Sequence, residues 1–178
     1  MARAGPPFWP TPRGGGDERE KPFSNLFFFN GGMGATASGD GESCMSWPSN
    51  ISSTPTEVIE MLSPLRVLHR GLVPGSGGAG RHRGGLGQEI RMLNTSATPT
   101  VAFLSAERTR VPARGLGGGG PGATGAVEIN GQPVDPKVQH LLRPGDIVTL
   151  RTPGGGGHGP PTERGPASTA RDRDLGYT

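Results

Sequence analysis

Apolar residues fall in short clusters along this chain, each cut off by glycine or proline, and the clusters change period from one to the next. The run KPFSNLFFFN, from Lys21 to Asn30, is aromatic and predicts a buried strand. It ends at Gly31-Gly32-Met33-Gly34, a turn that needs positive φ or close backbone approach. TPTEVIEML predicts a short helix, with Thr54 as N-cap, Pro55 at the first helical position and Glu57 closing a capping box. Val58, Ile59, Met61 and Leu62 form its expected apolar face, and Pro64 stops it. LRVLHRGLV, QEIRML and TVAFLSAE predict strands, the first two joined by the glycine-rich PGSGGAGRHRGGLG. In VEINGQPV the pair Asn130-Gly131 separates two extended runs and predicts a hairpin. RPGDIVTLRT predicts a turn at Pro144-Gly145 and a strand that packs Ile147, Val148 and Leu150. The expected fold class is α+β: mainly β, with short strands, glycine-rich turns and one short capped helix. Residues 1–20 are expected to be a flexible leader, 21–152 the folded region and 153–178 a Gly/Pro-rich charged tail.

Composition qualifies this picture. The 178 residues include 33 glycines and 19 prolines, a share at which low-complexity disorder competes with folding. Leu, Ile, Val and Phe together supply about 19% of the chain, little for a private core. A net charge of only +3 does not oppose compaction, so the clusters suit short strands or a part of a larger fold whose core lies elsewhere. The longest apolar stretch, Leu26 to Phe29, is far short of the ~20 residues that cross a bilayer, so no membrane association is expected. With Cys44 as the lone cysteine an internal disulfide is impossible, and a cytoplasmic location is expected. The sequons at Asn50-Ile51-Ser52 and Asn94-Thr95-Ser96 are then chance matches.

Little catalytic chemistry stands out. His69, His82, His140 and His158 have no metal-ligand spacing and suit surface or turn positions. Lys21 and Lys137, the two lysines, lie in no P-loop. Gly115, Gly117 and Gly120 match G-x-G-x-x-G, but Pro121 follows and no helix is signalled. Arg81 and Arg83, with Arg108, Arg110 and Arg114, could meet phosphate, yet aromatics are 5% of the chain and no stacking surface interleaves them, so no nucleic acid is expected as a partner. Glu57 and Glu60 are accounted for by capping and solvent exposure rather than as an acid/base pair. Cys44, beside Met45 and Trp47, has no basic sequence neighbour and suits packing better than nucleophilic attack.

An ordered set of segments resembles the C-terminal part of the hydantoinase B/oxoprolinase B family, which includes N-methylhydantoinases, ATP-dependent 5-oxoprolinases and acetone or acetophenone carboxylases. The segments are KPFSNLFFFNGGMGA, Asp40-Gly41, WPSNISSTPTEVIE, SPLRV, LVPGSGGAGRHRGGLGQE, ARGLGGGGPGATG, LRPGDIVTLRTPGGGG and RDRDLGYT. The resemblance implies a two-part enzyme. An A-type subunit would bind ATP with Mg and activate the oxygen of a cyclic amide or ketone, and the B-type subunit would complete hydrolysis, or carboxylation in the carboxylase branch. Making an amide oxygen a leaving group by phosphorylation is chemically reasonable, and glycine loops would let backbone N–H groups approach an anionic intermediate. No cofactor is expected on this chain. The family's longer N-terminal half, where the resemblance implies a divalent metal, is not in this sequence. The chain is accordingly read as a fragment or truncated homologue, expected to be inactive alone. It also departs from the family at Gly159-Pro160-Pro161, where Gly-Asp-Pro is usual, and at Arg164-Gly165-Pro166, where Arg-Asp-Pro is usual. The rival expectation is a non-catalytic β scaffold that docks subunits. If residues here face substrate, the candidates are Gly31, Gly32 and Gly34 in the turn, with Ser49 and Asn50 before the helix. Tight-turn packing and local Asx bonding remain the alternative.

Overall fold

The computed structural model describes residues 11–12, 23–46, 51 and 53–178. Two antiparallel sheets share one core. The larger runs β2-β3-β8-β5-β6, where β2 is Leu65–Leu72, β3 Gln88–Asn94, β5 Ala126–Ile129, β6 Gln132–Pro133 and β8 Ile147–Arg151. The smaller runs β1-β4-β7, with β1 at Thr11–Pro12, β4 at Thr100–Phe103 and β7 at Gln139–Leu142. Helix α1 spans Thr56–Leu62 and α2 spans Pro166–Asp174, with a 3₁₀ turn at Pro161–Glu163. Among the described residues the fold is therefore mainly antiparallel sheet with two helices, one more than expected.

Register explains the core. Ile90 faces Leu150, which faces Val127; Met92 faces Val148, which faces Ile129. These rows stack same-face apolar side chains across three strands. Phe27, Phe29, Ile59, Leu65, Ala102, Leu104 and Leu142 close the cluster from the segments packed against them. The run at 23–30 forms no ladder, yet it alternates as a strand does, burying Phe27 and Phe29. Asn94 joins the sheets: its Nδ2 donates to the carbonyls of Leu142 (3.2 Å) and Arg143 (3.0 Å), and its Oδ1 accepts from Ser96 Oγ (2.7 Å). A glycan could not occupy that buried nitrogen. The hairpin forms at Asn130-Gly131, with φ of 51° and 76°, the doubly positive pattern of a type I′ turn.

Two helix expectations are corrected. Pro55 is the N-cap, with extended backbone and no side-chain cap. That shifts Thr54 out of the cap position and leaves Glu57 one place short of the N3 site a capping box needs. The apolar face is also narrower than expected: Ile59 is buried, but Met61 is 75% exposed and Leu62 is exposed as well. At seven residues, α1 has one inward position for the core.

Candidate functional site

The glycine runs read as turns do more than connect strands. They pack side by side around residues 153–157. Pro153 and Gly156 accept, at their carbonyls, from the N–H groups of Gly32 (2.9 Å) and Ala35 (2.8 Å). Gly154 and Gly157 donate to Ala123 (3.1 Å) and Gly120 (3.0 Å); Gly155 and His158 donate to Gly85 and His82, both at 2.9 Å. In every pair the residues are three apart on both segments. A strand would repeat every two, whereas a three-residue repeat sending bonds in three directions matches packed segments of polyproline-II-like geometry, and where such segments press together only glycine fits between them. The bundle therefore replaces a side-chain core with backbone hydrogen bonds.

Gly31 and Gly32 are buried in this bundle and Gly34 lies half-buried at its rim. A Cβ on Gly31 would stand 2.6 Å from the Pro153 carbonyl oxygen and one on Gly32 only 1.8 Å from that of Gly85, while Gly34 has 3.7 Å to its nearest neighbour. None of the three has positive φ, so close approach is what requires glycine here. Ser49 and Asn50 lie outside the described residues. Their neighbour Ser46 donates from Oγ to Asn30 Oδ1 at 2.6 Å, so the segment leading into them runs beside the start of the turn. Asn30 itself is 2% exposed, and its carbonyl accepts from Gln88 Nε2 (2.9 Å) and Thr152 Oγ1 (3.0 Å). Asn30 gave no signal in the sequence beyond ending the aromatic run.

A second polar centre locks α2 to the bundle. Arg164 makes a two-pronged contact with Asp40 (2.9 Å to each oxygen) and donates to Asp172 Oδ2 at 2.6 Å. Asp172 is 4% exposed and also receives Arg83 Nε at 3.3 Å. The guanidinium of Arg83 lies 4.9 Å from the centre of the Tyr177 ring. Hydrogen bonding from Arg164 holds the Asp40 carboxyl below its ordinary pKa of 3.8, and Asp40 in turn raises that of Arg164. Both carboxylates are committed to arginine.

The remaining candidates are accounted for locally. Burial pushes the Cys44 thiol up to about 11, outweighing the field of Arg70; a neutral thiol suits packing. Arg70 is turned toward the segment before α1 by a bulge at Leu68, and donates to Thr54 O (2.7 Å) and to Ser53 Oγ. Glu60 accepts from the Val67 N–H at 2.8 Å and so blunts the β2 edge. His82 and His158 pair through their backbones, and His140 Nε2 lies 2.7 Å from Asp135 O. A groove of about 300 Å³ lies between Thr109-Arg110 and the β5–β6 hairpin. Among the described residues no group of three or more His, Cys, Asp or Glu could hold a metal ion, and no helix is long and apolar enough to cross a membrane. This arrangement can present backbone and carboxamide hydrogen bonds from a closely packed frame.

The profile of the hydantoinase B/oxoprolinase family matches residues 6–161. The chain is 40% identical over 116 residues to protein MJ0963 of Methanocaldococcus jannaschii, covering 63% of this chain and 20% of that protein. It is 36% identical over 138 residues to 5-oxoprolinase 1 of Arabidopsis thaliana, covering 72% of this chain and 10% of that one. Its fold is similar to part of the nucleotide-free structure of an acetone carboxylase (TM-score 0.79, 22% identity, 96% of this chain and 28% of that chain). The same holds for an ATP-dependent caprolactamase from Pseudomonas jessenii (TM-score 0.78, 19% identity, 99% of this chain and 33% of that chain). The chain thus spans a third or less of the length of each of these proteins.

Proposed function

This chain belongs to the hydantoinase B/oxoprolinase family, and from that premise we propose that it is the C-terminal region of a B-type subunit, framing the site where an ATP-dependent enzyme hydrolyses a cyclic amide. The observation that carries this reading is how the described residues divide their work. A glycine bundle fixes backbone and carboxamide groups at the Gly31–Gly34 turn, while Asp40 and Asp172 are already held by arginine. Such a region shapes a site and leaves the acid, the base and the nucleotide to other parts of the assembly. In this proposal ATP with Mg belongs to an A-type partner. Gly31, Gly32, Gly34, Ser49 and Asn50 remain the proposed substrate-facing positions.

The surface supports a role inside something larger. The outer face of the small sheet carries Val101 and Phe103, both half-buried, and Leu141, 59% exposed. The outer face of the large sheet is instead bridged by Arg151 between Glu89 and Glu128. An apolar outer face is normal for a sheet covered on both sides.

The test is coexpression with an A-type subunit and the N-terminal part of a B-type subunit, followed by ATP hydrolysis dependent on 5-oxoproline, hydantoin or caprolactam. Turnover supports the proposal, and a properly assembled complex inert toward all three refutes it. Carboxylation of acetone by the same complex would move it to the carboxylase branch. The apolar sheet face favours a second reading, a scaffold that only docks subunits. In that case Leu141→Glu abolishes assembly, while changes at the Gly31–Gly34 turn leave turnover per assembled complex intact.

A further inference from the structure

Asn30 is a buried, hydrogen-bonded polar residue bordering the proposed site. It lies at the end of the aromatic run, immediately before Gly31, and is 98% withdrawn from solvent. Its backbone is pinned from two sides, since its carbonyl accepts from Gln88 Nε2 (2.9 Å) and Thr152 Oγ1 (3.0 Å). Thr152 Oγ1 is itself tied to β3, accepting from the Gln88 N–H at 2.8 Å. The side chain is oriented as well: Oδ1 accepts from Ser46 Oγ at 2.6 Å, which turns the amide nitrogen to the opposite side.

That nitrogen has two N–H donors, and among the described residues neither is used. No fully buried side-chain nitrogen or oxygen among those residues lacks a hydrogen bond, so Nδ2, unpaired among them, is not fully enclosed even though the residue is only 2% exposed. A residue held twice at its backbone carbonyl and once at Oδ1, with no described partner at its donor end, is pre-organised to bind an acceptor brought from outside. Packing by itself would have covered both ends.

We propose that Asn30 is a substrate-facing residue whose Nδ2–H donates to the carbonyl oxygen of the amide or ketone on which the assembled enzyme acts. This rests on the function proposed above. In the amide hydrolysis proposed above that oxygen is phosphorylated by the partner and departs with the phosphate; charge grows on it as its bond to carbon breaks, so a fixed neutral donor binds the transition state more tightly than the ground state. A carboxamide also does so without placing a counter-charge beside the glycine bundle.

The experiment compares Asn30→Asp with wild type in the assembled two-subunit enzyme. The substitution keeps the acceptor for Ser46 and removes the donor. The expected result is a fall in kcat of about 10²-fold per assembled complex, a KM changed much less, and a melting temperature lowered by the buried carboxylate but still above the assay temperature. A folded Asn30→Asp enzyme with kcat within twofold of wild type overturns the inference. Should that variant fail to assemble, Ser46→Ala decides the matter, because it frees the amide to rotate without touching the donor. A several-fold fall in kcat with normal melting supports the inference, and an unchanged kcat overturns it. A wild-type complex that is assembled but inert toward every amide and ketone refutes the function itself, and the role of Asn30 with it.

Discussion

Gly32→Ala tests the bundle most directly. The added Cβ would stand 1.8 Å from the Gly85 carbonyl oxygen, 2.4 Å from its carbon and 2.7 Å from the Gly155 nitrogen. Ordinary contact is about 3.5 Å, so segments must part by more than an ångström. All three obstructing atoms are backbone, and no flexible side chain can swing away. Parting them strains the hydrogen bonds from Gly32 to Pro153 (2.9 Å), Gly85 to Met33 (2.8 Å) and Gly155 to Gly85 (2.9 Å). At roughly 1 kcal/mol for each of the three bonds if lost, plus about 1–3 kcal/mol for overpacking, the expected cost is on the order of 4–6 kcal/mol. That is a large part of the ~5–15 kcal/mol stabilising a typical domain. Gly39→Ala is the matched control, because a Cβ there meets nothing within 4 Å and the same chemical change should fall within about 0.5 kcal/mol. Urea unfolding followed by circular dichroism, under conditions where wild type unfolds reversibly, measures both. A Gly32→Ala protein within 1 kcal/mol of wild type would refute close packing of the 31–35 segment against 85 and 155.

Arg164→Ala should destabilise the chain by about 3 kcal/mol, because it strips Asp172, at 4% exposure, of its shorter ion pair; hydrogen exchange should then quicken in α2 before the sheets, and unchanged exchange would count against the pairing. Asp40 contributes a pH dependence. Its folded pKa is depressed, so its contribution is complete above the ordinary value of 3.8 and is lost as pH falls below it toward the folded value. Acid titration of stability should therefore show a shallower loss in Asp40→Asn than in wild type below about pH 4. Cys44, pushed up to about 11, should be alkylated by iodoacetamide at pH 8 only about a hundredth as fast in the native state as in urea. Equal rates would mean that the thiol is not desolvated.

What the sequence could show by itself was local physics. Alternation in QEIRML requires one apolar face, and Ile90 and Met92 indeed point into the core. Asn130-Gly131 tolerates two positive φ values, so the hairpin needs no distant partner. The ordered motifs identified the family because they are residues in series. Helix α2 escaped notice because the one residue it buries is Asp172, an ion-paired acid, so no apolar period exists to be read. The capping box failed because Pro55, whose extended backbone suits the cap position, took it from Thr54. The glycine runs were visible, but which run faces which was not. Gly32 meets Pro153, Gly85 meets Gly155, and Arg164 reaches Asp40 across 124 residues. Glycine has no side chain to encode a partner, so only the tertiary arrangement, through backbone hydrogen bonds with a three-residue repeat, decides how the bundle closes and where Asn30 and the Gly31–Gly34 turn come to lie.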